Sequence, residues 1–173
     1  GVTGVVMLSL HGGIFLTLKV EDAILERVTR LIPKLMWAFF ALMTITIGWT
    51  LLLDTPITTN YSDRIWIAVF PVLALVAAVT GWRFIRAQQY LQAFLASATM
   101  IALLMGAVAA GLYPILLHSS TDSANDLTIT NAASAEPTLM VMFVIAMIGI
   151  PFVLLYTAGV YYFFRGKVVL DDE

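Results

Sequence analysis

The chain alternates between long apolar runs and short polar connections. Five of the runs are long enough for a helix to cross a lipid bilayer, which takes about 20 residues. They cover residues 2–18, 35–53, 65–82, 90–117 and 138–164. In lipid, backbone groups must find hydrogen-bond partners within the protein, so apolar runs of this length are predicted to be helices. We therefore expect an all-α integral membrane protein with five transmembrane helices, arranged in one membrane domain over residues 1–173 as a four-helix bundle plus one additional helix.

Basic residues in the connections predict an orientation. Eight of the nine lie in the first, third and last connections, and the second holds Arg64. The eight are Lys19, Arg27, Arg30, Lys34, Arg83, Arg86, Arg165 and Lys167. Because loops rich in Lys and Arg stay in the cytoplasm, we expect the N-terminus of this segment outside the cell and the C-terminus inside. Trp37 and Trp82 then fall at inner span ends, and Trp49 and Trp66 at outer ends, as aromatic belts require.

The first connection is predicted to contain a cytoplasmic helix over residues 21–31 that lies in the membrane interface. Its apolar residues fall on one helical face, and Glu26 precedes Arg30 by four positions, which favours an ion pair. The apolar face consists of Ile24, Leu25, Val28 and Leu31. Binding of a partner protein is the alternative role for this tract.

The fourth connection is a polar and acidic outer loop over residues 118–137. Loops of this length are usually functional or disordered. Its stretch DLTIT alternates apolar and polar residues, which indicates a short extended piece. A cation site built from Asp122, Asp126 and Glu136 is one interpretation of the loop, and a solvated loop is the other.

Two features within the spans predict how the helices pack. Pro71 and Pro151 each remove a backbone hydrogen bond and predict kinks. Small residues recur at helical spacing in the third and fourth spans, which lets two helices approach closely. These residues are Ala74, Ala77, Ala78 and Gly81 in the third span, and Ala98, Ala102, Gly106 and Ala110 in the fourth.

The composition excludes several classes of protein. Hydrophobic residues make up 61% and charged residues 12%, whereas soluble domains are about half apolar and a quarter charged. The absence of cysteine excludes disulfides, thiolate metal sites and cysteine nucleophiles. The sequence has no phosphate-binding loop, no HExxH or GxSxG motif and no basic patch for nucleic acid. We therefore expect no catalytic residue in this chain.

His11 is the one ionisable residue deep within a span, because Lys19, Asp54 and Arg64 lie near span ends. It lies about ten residues, roughly 15 Å, from the outer edge of its span. His118 lies at the outer surface, so the two histidines cannot ligate one haem iron, and a lone b-type cytochrome would need a methionine ligand. A proton path or transport site usually has partnered charges at the midplane. We interpret His11 as a hydrogen-bonded packing residue beside two glycines that let another helix approach.

Two functions from different classes are consistent with this pattern. Close-packing helices without a catalytic set indicate a scaffold subunit of a membrane complex. The alternative is part of a multi-pass secondary transporter, which would show polar breaks near the midplane and an internal inverted repeat. Neither feature is apparent in the sequence.

Four stretches in register resemble subunit II of the cytochrome bd-type quinol oxidases. They are LHGGIFLTLKVEDAILERVTR, GLYPILLHSS, LTITNAASAEPTL and IPFVLLYTAGVYYFFRGKV, which begin at Leu10, Gly111, Leu127 and Ile150. Subunit II of that family is considerably longer, so the chain is expected to be its C-terminal portion, which agrees with the absence of an initiator methionine.

The resemblance implies a specific role. The complex of that family oxidises quinol and reduces dioxygen to water in the aerobic respiratory chain of the bacterial plasma membrane. Its b haems and haem d, or a b haem in variants, are held by subunit I, so this chain is expected to bind no haem and no metal. The implied partners are the haem-bearing subunit I, a small single-span subunit and membrane lipid, with no nucleic acid. His11 matches a His-Gly pair typical of the family.

Overall fold

A computed structural model describes residues 1–53, 56–119, 121–164 and 166 of the chain. Its elements, in chain order, are as follows: α1 (Val2–Leu16), α2 (Asp22–Leu52), α3 (Pro56–Asp63), a 3-10 turn (Ile65–Ala68), α4 (Val69–Arg86), α5 (Tyr90–Leu112), β1 (Ile115–Leu117), a second 3-10 turn (Ser123–Asn125), β2 (Leu127–Thr128) and α6 (Glu136–Phe163). Arg165 and Lys167 of the basic pattern, and Asp54, which lies near a predicted span end, are outside the described residues. The chain forms two compact units, one over residues 1–113 and one over residues 114–166.

Four helices in the described residues are long and apolar enough to cross a membrane. They are Ala23–Leu52, Ile65–Arg86, Tyr90–Leu112 and Glu136–Phe163. This confirms the all-α membrane class. The first predicted span corresponds to α1, which is apolar but only 15 residues long. At 1.5 Å per residue α1 measures about 22 Å, less than the roughly 30 Å of a hydrocarbon core, so the count of five spans stays a prediction.

The first connection differs from the expected separate interfacial helix over residues 21–31. That tract is helical, and Arg30 forms the expected ion pair with Glu26, but the same helix continues to Leu52 through Pro33. A proline inside a helix leaves one carbonyl without its donor, here that of Thr29. Lys34 and Arg30 flank this turn, where water can hydrate the carbonyl, so the helix does not have to end there.

The helices of the first unit share one apolar core. α1 packs against α2 and α5, and α5 packs against α4, so four helices surround a single cluster of buried side chains. The cluster comprises Met7, Leu10, Ile14, Ile32, Met36, Phe39, Ala74, Ala77, Ala78, Ile85, Ala93, Met100 and Leu104. α6 belongs to the second unit, and none of its described residues is buried.

The small-residue prediction is confirmed for α4 and holds only in part for α5. All four small residues predicted to pack in α4 are buried, whereas Ala102 in α5 is exposed. The buried stripe of α5 is Ala93, Ser97, Met100, Leu104, Ala107 and Gly111. Its spacing alternates between four and three residues and so keeps to the 3.6-residue helical period. Residues that recur at every fourth position drift away from that buried face, although Gly106 still approaches Phe70 of α4.

Pro71, Pro151 and Pro33 occupy different positions in their helices. Pro71 lies in the first turn of α4, directly after the 3-10 turn, where backbone N–H groups have no intrahelical partner anyway. The chain therefore changes from a 3-10 turn to an α-helix just before Pro71, and the proline removes no backbone hydrogen bond from the interior of α4. Pro151 lies inside α6, as expected, and Pro33 lies inside α2.

The fourth span is shorter than the predicted 90–117. α5 ends at Leu112 because Tyr113 precedes Pro114, and a residue before proline favours extended backbone; ψ of Tyr113 is 132°. Residues 115–117 instead form β1, which pairs antiparallel with β2. The extended piece expected in DLTIT is confirmed, and its partner is the end of the predicted span.

One end of each of the four packed helices lies on the same side of the first unit. His11, in the second half of α1, stacks on Phe94 near the start of α5. Gly81, near the end of α4, faces α5 so closely that an added Cβ would lie 3.4 Å from the Cβ of Ala96. Because residues 17–21 join α1 directly to α2, the end of α1, the start of α2, the end of α4 and the start of α5 share one side. We call this side the basic end, because it carries Lys19, Arg27, Arg30, Lys34, Arg83 and Arg86.

Candidate functional site

His11 is held between α1 and α5 by one hydrogen bond and one ring contact. Its Nδ1 lies 2.8 Å from Oγ of Ser97, and its ring stacks on Phe94 with 4.8 Å between the centroids. The Ser97 hydroxyl donates to the carbonyl oxygen of Phe94 at 2.8 Å. Because this hydroxyl has a single proton, its oxygen accepts a hydrogen bond from Nδ1–H of His11. The arrangement supports the interpretation of His11 as a hydrogen-bonded packing residue.

Ser97, the partner of His11, was not predicted from the sequence. The available signal was its position on the buried stripe of α5, four residues after Ala93 and three before Met100. The glycines beside His11 contribute less than expected to close packing. An added Cβ at Gly13 would lie 3.7 Å from Ile32, an ordinary contact, and one at Gly12 would meet no described atom within 4 Å.

A second polar cluster lies where α3 covers the end of α5. Asn60 donates from Nδ2 to the carbonyl oxygens of Gly111 at 2.8 Å and Tyr113 at 2.9 Å. The Tyr61 hydroxyl donates to the carbonyl oxygen of Ala107 at 3.0 Å, and burial raises the pKa of Tyr61. The Gly111 carbonyl is one that the end of the helix leaves without an intrahelical partner, whereas the Ala107 carbonyl lies within the helix and gains the Tyr61 hydroxyl as an additional donor. The cluster is therefore a cap on α5 that the sequence did not predict.

An open cleft of about 690 Å³ lies in the first unit, lined by residues of α1 to α5. Its lining includes apolar side chains such as Met7, Met43 and Leu104, and hydroxyl side chains such as Thr46 and Tyr61. None of the described residues that line it is charged. With this lining, the cleft offers space for apolar groups and no described acid or base that could transfer a proton near neutral pH.

The loop over residues 118–137 contains a hydrogen-bonded turn around Asp126, whose side chain is about 10% exposed. Asp126 accepts a hydrogen bond from the backbone N–H of Ser119 at 2.7 Å, and Nδ1 of His118 lies 3.0 Å from its Oδ1. The Ser119 N–H, and then His118, hold the pKa of Asp126 below its usual value, although partial burial opposes them. Nδ2 of Asn131 donates to the Asp126 carbonyl oxygen at 2.8 Å.

The three carboxylates considered for a cation site are used separately. Asp126 is engaged in the turn, Asp122 accepts the backbone N–H of Ala124 at 2.9 Å, and Glu136 lies in the first turn of α6. Across the described ranges, no three His, Cys, Asp or Glu side chains are grouped so that they could hold a metal ion. Among the described residues of the loop, the three carboxylates do not converge, and most side chains are exposed apart from the hydrogen-bonded turn around Asp126.

Comparison with known proteins places the chain in a family. The family model described as cytochrome bd terminal oxidase subunit II matches residues 1–164. The chain is 29% identical to cytochrome bd ubiquinol oxidase subunit 2 of Bacillus subtilis (strain 168) over 168 residues, which cover 97% of this chain and 49% of that protein. It is 27% identical to cytochrome bd-I ubiquinol oxidase subunit 2 of Escherichia coli (strain K12) over 113 residues, 65% of this chain and 30% of that protein.

A third relative is the probable cytochrome oxidase subunit 2 of Haemophilus influenzae, with 29% identity over 102 residues, 59% of this chain and 27% of that protein. The chain thus spans about half the length of the curated relatives it matches, or less. The apolar helices agree with a multi-pass membrane protein. Because the family model matches nearly the whole chain, the resemblance seen in the sequence is confirmed, and this chain belongs to the cytochrome bd terminal oxidase subunit II family.

Proposed function

We propose that this chain is the non-haem scaffold subunit of a bd-type quinol:dioxygen oxidoreductase, where it stabilises the haem-bearing subunit I. The complex oxidises quinol and reduces dioxygen to water in the bacterial plasma membrane. The chain crosses the membrane five times, with the basic end in the cytoplasm and the N-terminus of this segment outside. A small single-span subunit is a further partner of the assembly.

The observation that carries this proposal is the family match over residues 1–164. The structure adds a second argument, because large apolar side chains remain exposed along α4, α5 and α6. Such surfaces in a membrane protein contact lipid or the helices of another subunit. α6 has no buried residue and an apolar sequence over 28 positions, as expected for a helix that packs against lipid or a partner chain.

Haem is supplied by the partner subunit in this proposal. Axial ligation by two imidazoles requires both side chains at one iron. The Nδ1 atoms of His11 and His118 lie next to Ser97 and Asp126 respectively. That neither histidine ligates a haem is part of the proposal, and its support is the family resemblance, which assigns the haems to subunit I. The chain contributes packing surface, and we assign it no catalytic, cofactor-binding or metal-binding residue.

The test is to purify the assembly through a tag on this chain and to record its absorption spectrum. We expect haem d and haem b bands that co-elute with a larger subunit, because the scaffold and the haem-bearing chain form one complex. The individual chains are then separated under mild conditions that leave non-covalently bound haem in place, and the tagged chain should carry no haem. A colourless, monodisperse chain from native membranes would contradict the proposal and favour the transporter alternative.

A further inference from the structure

Charge is distributed unequally between the two ends of the first unit. The basic end carries six basic and three acidic residues in the connecting segments and adjoining turns, whereas the opposite end carries Arg64 and Asp63 among its described residues. At the basic end, Arg30 is paired with Glu26 within α2. The last turn of α4 supplies Arg83 and Arg86, for which no acidic partner lies within 4 Å in the part of the chain that the structure describes.

The two arginines are placed on one side of α4. They are three residues apart, so their side chains project from the same side of the helix. The guanidinium of Arg86 lies over the indole of Trp82, with 4.8 Å from Cζ to the ring centroid. A cation–π contact of this kind is electrostatic and uses no N–H donor in a hydrogen bond, so the N–H groups of Arg86 can still bind an oxyanion.

The end of α4 does not need these arginines as caps. Gln88 has a positive φ of 57°, and the backbone N–H groups of Gln89 and Gln88 donate to the carbonyl oxygens of Phe84 and Ile85 at 2.9 and 3.0 Å. This is a Schellman arrangement, which satisfies the last carbonyls of the helix with backbone donors. Because the carbonyls are satisfied, the guanidinium N–H groups of Arg83 and Arg86 remain available to a ligand.

The depth of this pair indicates the kind of ligand. Tryptophan in membrane proteins lies at the level of the lipid headgroups, and Trp82 is half-buried next to Arg86. The oxyanions at that level are the phosphates of phospholipids, and guanidinium groups bind phosphate with two parallel hydrogen bonds. A lipid with net negative charge is favoured over a zwitterionic one, because each basic residue near an anionic surface adds about 1 kcal/mol of attraction.

We propose that Arg83 and Arg86, with Trp82 supporting Arg86, form a binding site for the phosphate of an anionic phospholipid at the basic end. The site requires Trp82 to lie at a membrane interface and does not depend on which face of the membrane that is. It is also independent of the identity of the oxidase partner, so its failure would leave the proposed function untouched.

The test uses the purified assembly that contains this chain, reconstituted in nanodiscs or detergent with dioleoyl phosphatidylglycerol or dioleoyl phosphatidylcholine as the probe. Lipid bound to the assembly is measured by native mass spectrometry. We expect Arg83→Gln with Arg86→Gln to weaken binding of phosphatidylglycerol by about tenfold or more, since two attractions of this size are lost. Binding of phosphatidylcholine should change by less than about twofold.

Arg64→Gln is the matched control, because it removes one positive charge at the opposite end. It should leave phosphatidylglycerol binding at this site unchanged, and an equal loss in that control would overturn the site. Unchanged phosphatidylglycerol binding in the double variant would overturn it as well. If the double variant does not assemble, the single variants decide, with a loss of about threefold or more expected for each.

Inorganic phosphate distinguishes a lipid site from a site for free phosphate. Millimolar phosphate should not displace phosphatidylglycerol, because the acyl chains add apolar contacts that the free ion lacks. Displacement by inorganic phosphate would contradict the assignment to lipid. Lowered lipid binding at raised sodium chloride is expected, because ion pairs at an exposed site are screened by salt; binding that does not respond to salt would contradict a charge-based site.

Discussion

A histidine in an apolar helix can be explained by its immediate neighbours. His11 donates from Nδ1 to Ser97, which in turn donates to a backbone carbonyl of its own helix. Interhelical hydrogen bonds of this kind in membranes contribute about 0.6 kcal/mol on average, and the stacking on Phe94 adds to this. These contacts give His11 a packing role between α1 and α5.

We expect His11→Ala to lower the stability of the assembly by about 1 to 3 kcal/mol, because it removes the hydrogen bond and the ring contact together. The haem content per assembled complex should remain unchanged. Ser97→Ala should cost less, and the double variant should cost less than the sum of the two single changes, because both remove the same bond. Thermal unfolding and haem absorbance measure the two quantities.

Ser9→Ala is the control for this pair, since the Ser9 hydroxyl is exposed and donates to a carbonyl of its own helix, that of Val5. It should change the stability by less than about 0.5 kcal/mol. Selective loss of one haem in His11→Ala would contradict the packing role and would indicate that His11 acts on a redox centre.

Asp126 is expected to make the turn that it forms with His118 and Ser119 dependent on pH. Its pKa in the folded protein lies below the usual value of an aspartate, chiefly because of the Ser119 N–H. A lowered pKa stabilises the turn at pH values above the unfolded pKa, and this stabilisation is lost as the pH falls through the folded pKa. We therefore expect the turn to be intact near neutral pH and to weaken only below about pH 4.

Hydrogen exchange of the Ser119 amide, corrected for intrinsic rates, measures this effect. Asp126→Asn should increase exchange at pH 6, because a charged acceptor is replaced by a neutral one. The difference between wild type and variant should shrink as the pH falls below about 4. Asp122→Asn is the control, since Asp122 accepts from Ala124 and not from Ser119; an equal effect in both variants would argue against a specific role of Asp126.

At the scale of elements, α3 and α5 fit together because of one glycine. A Cβ added at Gly111 would lie 2.8 Å from Cε2 of Tyr61 and 3.3 Å from Cγ2 of Ile57. The absence of a side chain at Gly111 therefore lets Tyr61 reach the Ala107 carbonyl, and it lets Asn60 reach the carbonyl of Gly111 itself. α3 can cap α5 only because the two helices approach this closely at Gly111.

We expect Gly111→Ala to lower the stability of the assembly by about 1 to 3 kcal/mol, because Tyr61 must move away from its acceptor. Gly13→Ala is the matched control, since the added methyl group would make an ordinary contact of 3.7 Å with Ile32 and a helix gains up to about 1 kcal/mol from this exchange. We expect thermal unfolding to shift to a lower temperature in Gly111→Ala and to a higher temperature in Gly13→Ala. Equal shifts would show that Tyr61 does not hold this position.

At the scale of the whole molecule, the absence of cysteine allows a direct measurement of orientation. Ala87→Cys places one thiol at the exposed turn between α4 and α5, and Ser62→Cys places one at the opposite end of the first unit. We expect a membrane-impermeant maleimide added to intact cells to label position 62 and to label position 87 only after permeabilisation. Labelling of position 87 from outside would contradict the proposed topology.

The sequence predicted most of the helical segments, because a helix in lipid needs a long apolar run that is visible in the sequence. The orientation inferred from the basic residues stays a prediction. The sequence predicted packing less well. The buried face of α5 follows the 3.6-residue period and not the spacing of its small residues. Ala102, which was predicted to pack against another helix, is therefore exposed. The cap formed by Asn60 and Tyr61 joins residues about 50 positions apart, and no local pattern marks such a contact. The end of α5 at Leu112 was signalled by Pro114, but the apolar residues after it extended the predicted span.

The position of six basic residues at one end of four packed helices has a consequence for biogenesis. Each Lys or Arg at the centre of a bilayer disfavours insertion by about 2.5 to 3.5 kcal/mol. Inverting the unit after insertion would move all six basic side chains through the hydrocarbon, at a cost of roughly 15 to 20 kcal/mol. Spontaneous reversal is therefore negligible on the lifetime of a cell. We therefore expect the unit to keep whichever sidedness it acquires during insertion.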